Sequence, residues 1–66
     1  MKDNLIKNWE FMQVGKSVVV CGDIYNDYRH RFTDGTSIRT SRIVRCDFET
    51  GKVETLNTIY HLDMGE

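Results

Sequence analysis

Residues Arg31 to Ile43 read RFTDGTSIRTSRI, and the Asp34-Gly35 pair inside that stretch decides how the chain is read. Asp-Gly is a hairpin signal, because tight β-turns need a positive φ that glycine adopts without steric penalty. Phe32 and Ile38 flank the turn as core anchors. Thr40 and Ser41 follow as polar residues that a strand must either expose or bond. The stretch predicts β structure around a turn.

The neighbouring sequence repeats this punctuation. Gly15-Lys16 separates Trp9–Val14 from Ser17–Ile24, and Thr50-Gly51 separates Ile43–Phe48 from Val53–Leu62. There is no proline, so glycine and Asn/Asp clusters mark every break. Between the turns, side chains alternate: Val18, Val20 and Ile24 form one set, Ile38, Val44, Cys46 and Phe48 a second, and Leu56, Tyr60 and Leu62 a third. Successive strand side chains point to opposite faces, so each set can line one core. Ile43 breaks the alternation and implies a β-bulge or bend near Ser41. At the N-terminus, Asp3 could cap a helix carrying Leu5, Ile6 and Trp9, while Trp9, Phe11 and Gln13 fit a strand. The reading adopted is a helical or irregular lead over residues 1–8 and then a strand. Hairpins with one longer crossing at Tyr25–Arg31 imply an all-β domain over residues 1–66, with at most a short N-terminal helical turn. Its expected form is a small antiparallel barrel or a strongly curled sheet of about four or five strands, since closure removes exposed edges.

At 66 residues the chain holds one core and buries only about 60% of its unfolded surface. Such domains commonly gain stability from disulfides, metal or self-association, and a homo-oligomer, in the first place a dimer, is expected. A composition of 39% hydrophobic and 29% charged residues is that of a globular domain rather than a disordered chain. The net charge of −1 provides no general attraction to nucleic acid or acidic membranes, so any such role needs a local cluster. The longest apolar run, Val18 to Cys21, is far below the roughly 18 residues of a membrane span. No secretory h-region is visible, and the expected location is the cytoplasm.

Catalytic signatures are absent, and so small a domain leaves little room for a pocket beside its core; no enzyme activity and no cofactor is expected. Cys21, His30, Cys46 and His61 are zinc-ligand types, but they occur singly rather than in close pairs, so no metal site is expected. Cys21 and Cys46 read as buried thiols in strands, behaving as small hydrophobes. Asp23, Asn26 and Asp27 in GDIYNDY lack the glycine and glutamate of a calcium loop and read as turn formers. Trp9, Phe11, Phe32, Phe48 and Tyr60 are assigned to the core.

The positive charge is clustered. Arg29, His30, Arg31, Arg39, Arg42 and Arg45 lie close together in sequence, with Tyr25 and Tyr28 nearby. Arg39 and Arg45 share a strand face if no bulge intervenes. Guanidinium groups beside aromatic rings suit an acidic protein patch or a phosphate backbone. Against this stands a plain solvated face on which the arginines pair with Asp47, Glu49 and Glu54, each pair contributing little. The candidate binding residues are Tyr25, Tyr28, Arg29, Arg31, Arg39, Arg42 and Arg45.

The run RFTDGTSIRTSRI followed by VETLNTIYHL has the form R-F-x-D-G-x-x-I-x-T-S-x-I then V-x-T-x-N-[ST]-x-Y-x-L. It resembles a pattern in short uncharacterised proteins of bacteriophages and prophages, over about Arg31 to Leu62, nearly half of the chain. The resemblance implies a small accessory protein acting in a bacterial host, and it carries no catalytic or ligand residues with it. The expected function is a non-catalytic accessory protein that binds a host or phage protein through the Arg-rich face. The alternatives are a small-barrel binder of single-stranded nucleic acid and a structural homo-oligomer with no separate ligand.

Overall fold

The computed structural model describes residues 2–65. Six strands follow one another: β1 Leu5–Val14, β2 Ser17–Tyr25, β3 Thr36–Arg39, β4 Ile43–Asp47, β5 Lys52–Thr55 and β6 Ile59–Leu62. They form one sheet in the order β3-β2-β1-β6-β5-β4. The described residues are all-β and contain no helix, so none is long and apolar enough to cross a membrane. Three features correct the expected architecture. The sheet has six strands, it is mixed because β1 and β6 run parallel, and it is not closed.

The turns fall where glycine allows them. Gly15 (φ 61°) joins β1 to β2, and Gly51 (φ 80°) ends the turn between β4 and β5. Asp34-Gly35 does not close a two-residue hairpin. It ends the longer connection from Tyr25 to Thr36, where the Gly35 N–H returns to the Ile24 carbonyl at 2.7 Å. The predicted helical or irregular lead is a turn at Asp3-Asn4 followed by strand from Leu5. Asn4 sits at φ 53°, a left-handed conformation that asparagine tolerates. The predicted Val53–Leu62 strand is broken by a turn over Leu56–Thr58, where the Thr55 hydroxyl donates to the Thr58 carbonyl at 3.0 Å.

The core is built from Ile6, Val20 and Ile24 of β1 and β2 and from Val53, Tyr60 and Leu62 of β5 and β6. Burying side chains of this kind contributes about 1.5–3 kcal/mol each. Trp9, Ile38, Ile43 and Cys46 pack against this cluster, and the Trp9 Nε1–H donates to the Asp63 carbonyl at 2.8 Å. Several residues assigned to the core by alternation are exposed instead. Val18 shares the parity of Val20 but lies beside the Gly15-Lys16 turn that closes the β1–β2 hairpin. Leu56 sits in the β5–β6 turn, and Phe11, Phe32, Val44 and Phe48 are also exposed.

Two register shifts shape the sheet. One lies between Ile43 and Arg45 in β4, just beyond the bend at Ser41. Sequence reading missed the other, between Lys7 and Glu10 in β1, where Asn8 takes φ 53°. Gly22 of β2 lies beneath that bulge: a Cβ there would sit 2.9 Å from the Lys7 carbonyl oxygen and 3.1 Å from the Trp9 Cα. These are backbone atoms and cannot swing aside. Gly22→Ala is expected to cost about 1–3 kcal/mol through overpacking, read as a lower urea midpoint at unchanged m-value.

Candidate functional site

The connection between β2 and β3 leaves the sheet at Asn26, which has φ 54°, and is organised around one buried carboxylate. Asp27 accepts the backbone N–H groups of Arg31 at 2.7 Å, Phe32 at 3.1 Å and Arg29 at 3.4 Å, and the Arg31 guanidinium at 3.5 Å. Burial alone would raise the pKa of this group. The four hydrogen bonds favour its charged form and hold it below its ordinary value of 3.8. The turn-forming reading of GDIYNDY therefore has a specific geometry, in which the carboxylate replaces the partner strand that the loop backbone lacks.

Asn4 grips the same loop from the other side. Its Oδ1 accepts the Tyr28 N–H at 2.8 Å and its Nδ2 donates to the Ile59 carbonyl at 3.0 Å. Asn4 is buried and uses both its amide nitrogen and its amide oxygen to tie β1, the loop and β6 together. No motif singled it out; its only sequence signal is an asparagine directly before a strand, a frequent arrangement.

Between these two clamps the dipeptide Tyr28-Arg29 is displayed. Tyr28 is 70% exposed, more than any other large apolar side chain among the described residues. Arg29 is also exposed, and among the described residues its side chain hydrogen-bonds a neutral acceptor, the Asn57 carbonyl at 3.4 Å. Together with Glu54, Leu56, Asn57 and Ile59 they line a shallow concavity of about 420 Å³. Leu56 and Ile59 are exposed too, so an aromatic ring, a cation and two aliphatic side chains share one surface.

The remaining candidates are distributed elsewhere. Tyr25 is half-buried, with the Lys7 Nζ 4.9 Å from its ring centre. Arg31 is bound to Asp27 and lies over the Phe32 ring at 5.3 Å. Arg39 of β3 pairs with Cys21 of β2, and Arg45 of β4 lies opposite Glu54 of β5. These two strands are the opposite edges of the sheet, so Arg39 and Arg45 do not share a strand face. Arg42 stands in the segment between them, at the rim of a second concavity of about 510 Å³. Phe11, Val18, Cys46 and Phe48 line that groove, and Lys16 shares its rim. The Phe11 and Phe48 rings meet edge to face at 5.7 Å.

Among the described residues no three His, Cys, Asp or Glu side chains come together to hold a metal. Cys21 and Cys46 are both free. Burial, then the nearby Asp47 charge, raises the Cys46 thiol, which keeps it protonated at neutral pH and poorly nucleophilic.

The Asp27 clamp makes stability depend on pH with a definite sign. Because its folded pKa is depressed, its contribution is complete above about pH 4 and is lost as pH falls through the lowered value. The urea midpoint of the wild type is expected to fall over that acid range, and Asp27→Ala to reduce neutral-pH stability by about 1–3 kcal/mol while flattening the acid limb.

Comparison with protein-family models, with curated proteins and with solved structures finds no match for this chain.

Proposed function

We propose that this chain is a non-catalytic accessory protein, of the type its resemblance to short phage proteins implies, that binds a host or phage protein stoichiometrically. The contact surface in this reading is the one around Tyr28 and Arg29. The observation that carries it is an exposed Tyr-Arg pair on a backbone held by Asn4 and Asp27. Tyrosine and arginine dominate the energetics of protein interfaces, because each offers a large contact area together with a polar tip. A loop already fixed by hydrogen bonds loses little further backbone freedom on binding, so more of the contact energy is realised as affinity.

The chemistry of the surface defines the partner. Leu56 and Ile59 call for apolar side chains, and Arg29, bonded to no carboxylate among the described residues, calls for one from the partner, even with Glu54 lining the same concavity. The nucleic-acid alternative has less to support it, since Arg39 and Arg45 stand on the two different edge strands and the net charge is −1.

Immobilised wild type and three variants, each incubated with a bacterial lysate, test the reading. A protein retained by wild type and by Arg39→Glu is expected to be lost with Tyr28→Ala and with Arg29→Ala. Titration of the purified partner is then expected to show one-to-one binding weakened about tenfold or more by either alanine. Equal retention by all four proteins removes this surface from consideration.

A further inference from the structure

We infer that β4 pairs with β4 of a second copy across a two-fold axis through Cys46, making the chain a homodimer. This rests on the β4 edge and is independent of the Tyr28-Arg29 surface.

β4 ends the strand order, so one side of its backbone has no hydrogen-bonded strand partner among the described residues, and β2 packs near it without pairing. An exposed edge is a template for pairing unless charge or covering blocks it. The direction of the unused groups follows from the turn. The Asp47 carbonyl accepts the Gly51 N–H at 2.8 Å, on the β5 side. By strand alternation the Cys46 N–H and C=O point the other way, outward. Two antiparallel β4 strands centred on Cys46 would therefore exchange a pair of N–H to C=O bonds between their Cys46 residues.

The side chains select that register. Within one chain Arg45 faces Glu54 and Asp47 faces Lys52 across the β4–β5 ladder. The two-fold axis at Cys46 brings Arg45 opposite Asp47 of the second copy. Read across β5, β4, the second β4 and the second β5, the row is then Glu54, Arg45, Asp47, Lys52, with signs alternating at every step, and the symmetry-related row alternates likewise. Moving the axis one residue either way sets Arg45 against Arg45 or Asp47 against Asp47, and like charges directly opposite destabilise a strand pair. The same register places Phe48 beside Val44 of the second copy, two side chains each 56% exposed in the single chain. A chain with so small a core gains from such burial.

Sedimentation equilibrium of wild type, Arg45→Asp and Asp47→Arg tests the inference, with far-UV circular dichroism to confirm that each is folded. Wild type is expected to dimerise, less tightly at high salt, and each variant alone to show a dissociation constant raised at least tenfold. An equimolar mixture of the two variants is expected to restore dimer, since every cross-interface pair is then of opposite sign. A wild type that stays monomeric at millimolar concentration, or two variants that dimerise as well as wild type, overturns the inference. If a variant does not fold, amide hydrogen exchange on wild type decides: the Cys46 N–H is expected to exchange more slowly as concentration rises, and exchange independent of concentration overturns it.

Discussion

The parallel contact between β1 and β6 holds two antiparallel halves together, one made of β1, β2 and β3 and the other of β6, β5 and β4. Only Leu5 opposite His61 and Ile6 opposite Leu62 form the ladder. It is reinforced by the His61 N–H on the Asn4 carbonyl at 2.9 Å and the Asp63 N–H on the Ile6 carbonyl at 2.8 Å. The core lies across this junction, with Ile6, Val20 and Ile24 from one half against Val53, Tyr60 and Leu62 from the other. Neither half has an apolar face that it can bury alone, so the hydrophobic gain is collected when the halves meet. The contact joins segments far apart in sequence, and closing that long loop is the entropic cost the core must offset.

The same junction places the candidate binding surface. Asn4 stands at the entrance to β1, next to β6, and its side chain reaches the loop backbone at Tyr28 as well as Ile59. A polar group buried at this point would be costly without partners. With both of its functions bonded, it becomes a rigid link from the core junction to the displayed Tyr28-Arg29 pair. Asp27 does the corresponding work inside the loop. The surface is therefore presented by fixed backbone.

The charges on β4 and β5 carry a second lesson about edges. Arg45, Asp47, Lys52 and Glu54 form a small alternating array, at a place where the sequence offered Arg45 as a binding candidate and, as the alternative, a solvated face pairing the arginines with Asp47, Glu49 and Glu54. The array lies at an unpaired edge, and its alternation continues when reflected through a two-fold axis. Polar strand faces can thus specify a register where an apolar edge would pair indiscriminately.

Much of the fold was legible locally. Two-residue alternation and glycine turns marked the β1–β2 and β4–β5 hairpins to within a few residues, because side-chain direction and positive φ depend on near neighbours alone. The polar bonding of the motif was legible in part: Asn57 donates to the Ser41 hydroxyl at 2.7 Å, while Thr40 is buried against the Val20 N–H at 3.0 Å. What alternation could not supply was the cover over each face. Val18 and Val20 have the same parity, and Val18 is exposed because it lies beside the turn of the β1–β2 hairpin, away from the core. The Leu56–Thr58 turn changes parity between Val53 and Tyr60, so an unbroken strand reading put Leu56 in the core. The clustered arginines looked like one face because they are close in sequence, yet β3 and β4 lie at opposite ends of the strand order. The sequence by itself determined that this chain is β-structured and where several of its turns fall, since those choices are settled by local sterics and periodicity. The tertiary structure alone decided the parallel junction, the exposure of Tyr28 and the open edge at β4, because each depends on which distant segment lies alongside.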